Sequence, residues 1–227
     1  MKNLLQTSLI AILISFSITS CIKENIVSCT GSDCFIFEGQ VFDSIKNLAI
    51  SNASIEVILV YDNGSFGSIN YKKEIVGKSK SDQDGNYRVA FSGERLKDVD
   101  GYFEIEISKQ GYFDKTIMLE YVNNTSFDVP NIVDADIHRK AYLDVNIKTG
   151  EYIDNVQFSL PTGGDGQSTW AGLTNSSNRD TTYNFQVAGD QFTKVQYNYK
   201  RLGLNYSKSD SIYINGGEKR QLNIKIE

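Results

Sequence analysis

Apolar and polar side chains alternate with a period of two along most of this chain, and that pattern limits what it can fold into. Phe103, Ile105 and Ile107 interleave with Glu104, Glu106 and Ser108, and Tyr87, Val89 and Phe91 interleave with Asn86, Arg88 and Ala90. Successive side chains of a strand leave on opposite faces, so each segment predicts a strand with one dry face and one wet face. The pattern returns at Leu143, Val145 and Ile147, at Val156, Phe158 and Leu160, at Tyr183, Phe185 and Val187, and at Leu222, Ile224 and Ile226. No stretch after the N-terminal segment carries an amphipathic pattern of three helical turns, so the expected fold is all-β. Turn residues punctuate the strands at Asp62-Asn63-Gly64, Asp82-Gln83-Asp84-Gly85, Asp98-Val99-Asp100-Gly101, Lys148-Thr149-Gly150 and Asn215-Gly216-Gly217. Their regular spacing predicts antiparallel β-sandwiches.

The N-terminus reads differently. Met1, Lys2 and Asn3 precede a largely apolar run over residues 4–18, interrupted by Gln6, Thr7, Ser8, Ser15 and Ser17. A membrane-spanning helix wants about 20 apolar residues, so the run reads as a secretory signal. Ile18-Thr19-Ser20-Cys21 resembles the lipobox of bacterial lipoproteins, with Ile18 where Leu is usual. The resemblance implies a diacylglycerol thioether on Cys21, cleavage before it, and acylation of the new N-terminus by a chain such as palmitate. Two or more chains turn marginal membrane association into stable anchoring, so the membrane is the first expected partner. Ile22 follows Cys21 where inner-membrane lipoproteins often carry Asp, so the resemblance points to the outer membrane, periplasm- or surface-facing. Lys23 and Glu24 resemble, faintly, surface-export signals. The alternative is an ordinary signal peptide with an incidental cysteine.

Cys29 and Cys34 are separated by Thr30-Gly31-Ser32-Asp33. In an oxidising compartment a disulfide is expected, one that orders the tether locally because so short a loop removes little chain entropy. Free thiols and a metal site are the alternatives. A closed zinc site wants four ligands, and the chain's single histidine, His138, lies far off in sequence.

A second resemblance lies in the segment from about residue 37 to 118. Glu38-Gly39-Gln40-Val41-Phe42-Asp43, Asn52-Ala53-Ser54-Ile55-Glu56-Val57, residues 79–89 around Asp82-Gln83-Asp84-Gly85, and Ile105-Glu106-Ile107-Ser108-Lys109-Gln110-Gly111-Tyr112 are similar in order and spacing to the carboxypeptidase regulatory-like domains. The resemblance implies a transthyretin-like sandwich and imports no peptidase activity, since no pair of metal-ligating histidines is present. Residues 61–71 are longer than that family's usual connection, which predicts a protruding loop or an extra hairpin. The resulting reading is a lipoprotein signal peptide (1–20), a lipidated tether (21–34), a carboxypeptidase regulatory-like sandwich (35–138) and a second, tandem antiparallel sandwich (139–227). Pro130-Asn131 marks where the change of module is sought, and the strand after it either closes the first module or opens the second.

The chemistry sought is mostly missing. The net charge is -5, with no basic cluster of the kind that displaces counterions from phosphates, so no nucleic acid is expected. His138 is the sole candidate base for Ser-His-Asp catalysis, no G-x-S-x-G elbow occurs, and His138 reads as a surface or edge-strand residue. No carboxylate pair stands out for glycoside hydrolysis. The Asp82 and Asp98 turns imitate the start of a calcium loop without its later ligands, and read as structural turns. No catalytic residue, metal or cofactor is expected. Trp170, the only tryptophan, sits in a polar loop expected over residues 162–180, and it is the ligand-binding candidate. Tyr183, Tyr197, Tyr199, Tyr206 and Tyr213 are expected to be mostly core.

The expected function is a non-enzymatic envelope lipoprotein acting as a binding or accessory module with a protein partner, and the alternative is a carbohydrate-binding module for glycan capture. An exposed Trp170 in a polar surround favours the glycan, and an exposed strand edge favours protein assembly. Cys21→Ser removes the thiolate that accepts diacylglycerol, so labelled fatty acid should no longer be incorporated. Continued labelling and membrane retention would overturn the lipoprotein reading.

Overall fold

The computed structural model describes residues 23, 24, 26, 29, 32–64, 70–94, 96, 99–163, 167–174 and 176–227. Residues 1–22, with the lipobox and Cys21, lie outside the described residues, as does Asp98. The chain is all-β: β1 (Lys23–Glu24), β2 (Cys34–Asp43), β3 (Leu48–Ala49), β4 (Ser54–Asp62), β5 (Tyr71–Lys80), β6 (Asn86–Ser92), β7 (Gly101–Ser108), β8 (Lys115–Tyr121), β9 (Pro130–Ile132), β10 (Ala135–Asp136), β11 (Lys140–Thr149), β12 (Ile153–Thr162), β13 (Gln167–Thr174), β14 (Asp180–Ala188), β15 (Gln191–Arg201), β16 (Leu204–Ile214) and β17 (Lys219–Ile226). A single 3-10 turn, Val122–Asn124, is the only helical element among the described residues.

The first ten strands enclose one core. One sheet runs β1-β5-β4-β7-β8, and the facing sheet is organised on β2. The first part of β2 is flanked by antiparallel β6 and parallel β9, and its end by antiparallel β3 and parallel β10. Alternation along β2 and β6 sends Phe35, Phe37 and Phe91 inward to meet Phe103 from β7. Their rings pack edge-on against Phe103 at centroid distances of 5.0, 5.5 and 5.7 Å. Full burial stabilises each such side chain by about 1.5 to 3 kcal/mol, and the edge-on geometry adds to it. β4 departs from alternation because both its faces are dry: Ile55, Val57 and Leu59 join the main core, while Ile58 and Val60 form a small cluster with Ile75.

One detail differs from the expected tether, and another places the strand that the sequence left open. The backbone of Lys23–Glu24 already pairs in parallel with Glu74 and Ile75 of β5, so a ladder begins before Phe35. The strand after Pro130 belongs to the first core, since Ala135 and Asp136 pair with Val41 and Phe42.

The last seven strands form a second core from unequal sheets, β14-β11-β17 and β13-β12-β15-β16. β11 is central, antiparallel to β14 and parallel to β17. Leu143, Val145 and Ile147 of β11 face Val156, Phe158 and Leu160 of β12 and Val195 of β15 across the interior. The two cores meet over a short, pinned link: Arg139 O accepts from Gly189 N at 2.8 Å and Lys140 N donates to Gly111 O at 2.8 Å. Asp190 receives Lys46 from the first module at 3.3 Å and Arg139 at 3.7 Å.

Gly85 ends the turn after Asp82 with φ +79°, and a Cβ there would stand 2.5 Å from Val41 O. Gly85→Val should therefore destabilise the first module by about 1 to 3 kcal/mol. Hydrogen exchange should show lost protection in β2, β6 and β7 with β11 to β17 little changed, whereas equal loss in both would mean that the modules unfold as one unit.

Candidate functional site

The outer face of β13-β12-β15-β16 is a polar surface built by register. Because Val156, Phe158 and Leu160 point inward, Asn155, Gln157 and Ser159 of β12 point outward, and on β15 burial of Val195, Tyr197 and Tyr199 turns out Gln196, Asn198 and Lys200. The pairings Gly172 to Gln157, Gln157 to Asn198 and Asn198 to Ser207 lay one row across all four strands. The next row runs Trp170, Ser159, Gln196 and Ser209. A shallow depression of about 320 Å³ lies on this face, lined among others by Asn155, Gln157, Asn198, Lys200, Asn205 and Ser207. Gly172 sits opposite Gln157 with no side chain to cover the amide, and an added Cβ would come within 3.1 Å of Val156 O and 3.5 Å of Gln157 Cγ.

Trp170 is 65% exposed at the edge of this surface. The expected loop over residues 162–180 is largely replaced by β13, an edge strand that pairs with β12 from Gln167 to Thr174. Ala171 and Leu173 pack against the second core, and Gly172 O accepts from Tyr183 Oη at 3.2 Å. The polar composition that suggests a loop is that of an edge strand, whose outer side chains face water. Trp170 and the Gln157 row are about 7 Å apart along the strands, two residues of rise. Each amide offers both donor and acceptor groups, and the indole offers a broad apolar face. That combination suits a ligand with ring faces and many hydroxyls. The tyrosines divide: Tyr197 and Tyr199 are buried and Tyr183 packs against the same core, while Tyr206 and Tyr213 are exposed on β16. Burial, and then the hydrogen bond to Asp210 Oδ2 at 3.0 Å, push the Tyr197 phenol up to about 12.

A second constellation lies at the module junction. His138, expected at the surface or on an edge strand, lies just after β10, the end strand of its sheet, with its side chain 15% exposed and Nδ1 3.6 Å from Asp43 Oδ1 and 3.5 Å from Asp136 Oδ1. Among the described residues these three side chains form a group with metal-ligand character, their ligand atoms within 4.8 Å of one another. Both carboxylates are already engaged: Asp43 Oδ1 accepts from Ile45 N at 3.0 Å and Lys46 N at 3.3 Å, and Asp136 Oδ1 accepts from Ser44 N at 2.9 Å. Their evident work is to close the turn at residues 44–46. Sequence reasoning missed the group because β2 and β10 supply its carboxylates from distant segments. The one local signal was the i, i+2 spacing of Asp136 and His138.

A disulfide joins Cys29 and Cys34, with 5.8 Å between their Cα atoms. Asp82 Oδ1 accepts from Asp84 N at 2.9 Å and Asn86 N at 2.8 Å, which commits that oxygen to the turn. Asp98 and the lipidation candidate Cys21 lie outside the described residues.

No family model matches the chain, and no curated protein does. Among solved structures it is similar to the Bacillus anthracis TIE protein at 14% identity and a TM-score of 0.32, covering 85% of this chain and 34% of that one. A Streptococcal ancillary pilin follows at 11% identity and a TM-score of 0.32, covering 87% and 64%, and the shaft pilin SpaA from Lactobacillus rhamnosus GG at 11% and 0.30, covering 87% and 98%. The chain thus spans about a third of the first and under two thirds of the second. At such TM-scores these likenesses carry no argument about function.

The placement of Trp170 has a direct optical consequence. Its emission should lie at long wavelength and be quenched readily by iodide, with excitation at the red edge to avoid the 13 tyrosines. Blue emission that resists quenching would put the indole in the core and remove it from the site.

Proposed function

We propose that this chain is a non-enzymatic, lipid-anchored envelope protein whose second sandwich captures glycan on the outer face of β13-β12-β15-β16. In this reading Cys21 carries the acyl chains that hold the protein to the outer membrane, and the first sandwich is a carboxypeptidase regulatory-like spacer. The observation that carries the proposal is the exposed Trp170, on the same outer face as the outward amides of β12 and β15 and one outward row from Gln157. The apolar face of one pyranose ring can lie on the indole while the hydroxyls of successive rings exchange hydrogen bonds with Gln157, Asn198 and Asn205, which lie progressively farther across the face. A shallow and open site of this kind suits an extended chain of sugars better than a buried small molecule.

The test is a glycan array probed with the full chain in detergent, followed by titration of any hit. Trp170→Ala should weaken binding about tenfold or more, and Gln157→Ala or Asn198→Ala several-fold, as expected for a lost stacking face and lost hydrogen bonds. Cys21→Ser should leave the affinity unchanged. Undiminished binding by Trp170→Ala would show that the glycan sits elsewhere.

A further inference from the structure

The most exposed strand of the molecule is β16. It ends the four-stranded sheet, pairing with β15 along its whole length and, among the described residues, with no strand on its other side. Every residue from Leu204 to Ser211 is exposed. The direction of its free hydrogen-bonding groups follows from the hairpin that introduces it. Arg201 opposes Leu204 across the two-residue turn Leu202-Gly203, whose φ angles are +48° and +81°. In such a turn the Leu204 N–H bonds back to Arg201, so Leu204 and every second residue after it turn their backbone groups toward β15. Asn205, Ser207, Ser209, Ser211 and Tyr213 consequently turn theirs outward. The side contact fits: the Tyr213 carbonyl accepts from Arg220 Nη1 at 3.0 Å, which also marks where the free ladder ends.

We propose that β16 is a self-pairing edge, and that two copies of this chain join antiparallel about Ser209 into one continuous sheet across a two-fold axis. The strand is self-complementary in that register. Lys208 falls opposite Asp210 of the second copy and Asp210 opposite its Lys208, Ser207 meets Ser211, and Tyr206 meets Ile212. Ser209 meets itself as a hydrogen-bonded pair, as its outward backbone groups require. The Lys208 and Asp210 pairs are then the non-hydrogen-bonded kind, in which opposed side chains lie closest. Lys208 and Asp210 point to the inner side of the sheet, above Tyr199 and Tyr197 respectively. Charges so placed on an edge repel a generic strand. They accept one that carries the opposite charge in the same place, which this strand itself does. The inference does not rest on glycan capture. Where both hold, the two polar faces point to the same side of the joined sheet and bind as a bivalent surface.

The experiment uses the full-length chain in membranes with Ser209→Cys. Opposed Cα atoms of a hydrogen-bonded pair lie about 5.5 Å apart, within disulfide range. Mild oxidation should give a covalent homodimer that the parent chain does not give. Ser207→Cys places its two copies about 14 Å apart in this register and should cross-link about tenfold less. On the Ser209→Cys background, Lys208→Asp sets carboxylates against each other and should cut dimer about tenfold, and adding Asp210→Lys should restore it. Equal cross-linking at Ser207→Cys and Ser209→Cys, indifference to the charge changes, or an adduct with a different protein would each overturn self-pairing. The readout needs no glycan, so this proposal and the Trp170 site fail independently.

Discussion

Four strands cannot be covered by three. In the second sandwich the sheet β14-β11-β17 lies over β12 and the middle of β15, and that contact buries Leu143, Val145, Phe158 and Val195 completely. Only the end of β16, at Ile212 and Ile214, is covered, and from Leu204 to Ser211 its side chains stay wet on both faces. The mismatch also explains why the inner face of β16 carries Lys208 and Asp210, which would be costly under a second sheet. One flank of the larger sheet therefore ends in an open strand and the other in the strand that bears Trp170. Every surface with functional potential in this module follows from that shortage of one strand.

The first sandwich is arranged around β2. Four strands bond to it, and its two inward phenylalanines meet the rings of β6 and β7. Its last residue, Asp43, is 2% exposed and holds the turn that follows while facing His138. The same strand therefore starts the core and helps shape the junction. Lys46, two residues beyond that turn's start, reaches Asp190 of the second module.

Strands with one dry face were legible in the sequence, because burial writes a period of two directly into residue order. β6, β11, β12 and β17 are of this kind. β4 was harder, since a cluster at Ile58, Val60 and Ile75 dries its second face and erases the alternation. β16 was illegible for the opposite reason: both faces are wet, and Ser207, Ser209 and Ser211 resemble loop composition. β13 shows how far composition alone misleads, because Gln167, Ser168, Thr169 and Gly172 suggest a loop while Ala171 and Leu173 tie the segment into the sheet. Trp170 could be singled out as the aromatic residue least explained by core packing. The amides beside it could not, since Gln157, Asn198 and Ser207 become neighbours only through the register of three strands. His138 failed for the same reason, its carboxylate neighbours being brought in by β2 and β10.

The parallel pairing of β2 with β9 and β10 has a mechanical meaning. After the two-residue pairing of β1 with β5, the chain runs into the first module at the start of β2 and leaves it from the end of β10, beyond which Arg139 and Lys140 lead into β11. Tension between the N-terminal segment and the second module thus pulls neighbouring parallel strands lengthwise in opposite directions. Their hydrogen bonds then share the load in shear instead of opening one after another. Beyond the link, the force enters β11, which is bonded along both sides by β14 and β17. A protein tugged from outside while held at its N-terminus would meet that resistance in both modules before either core was breached.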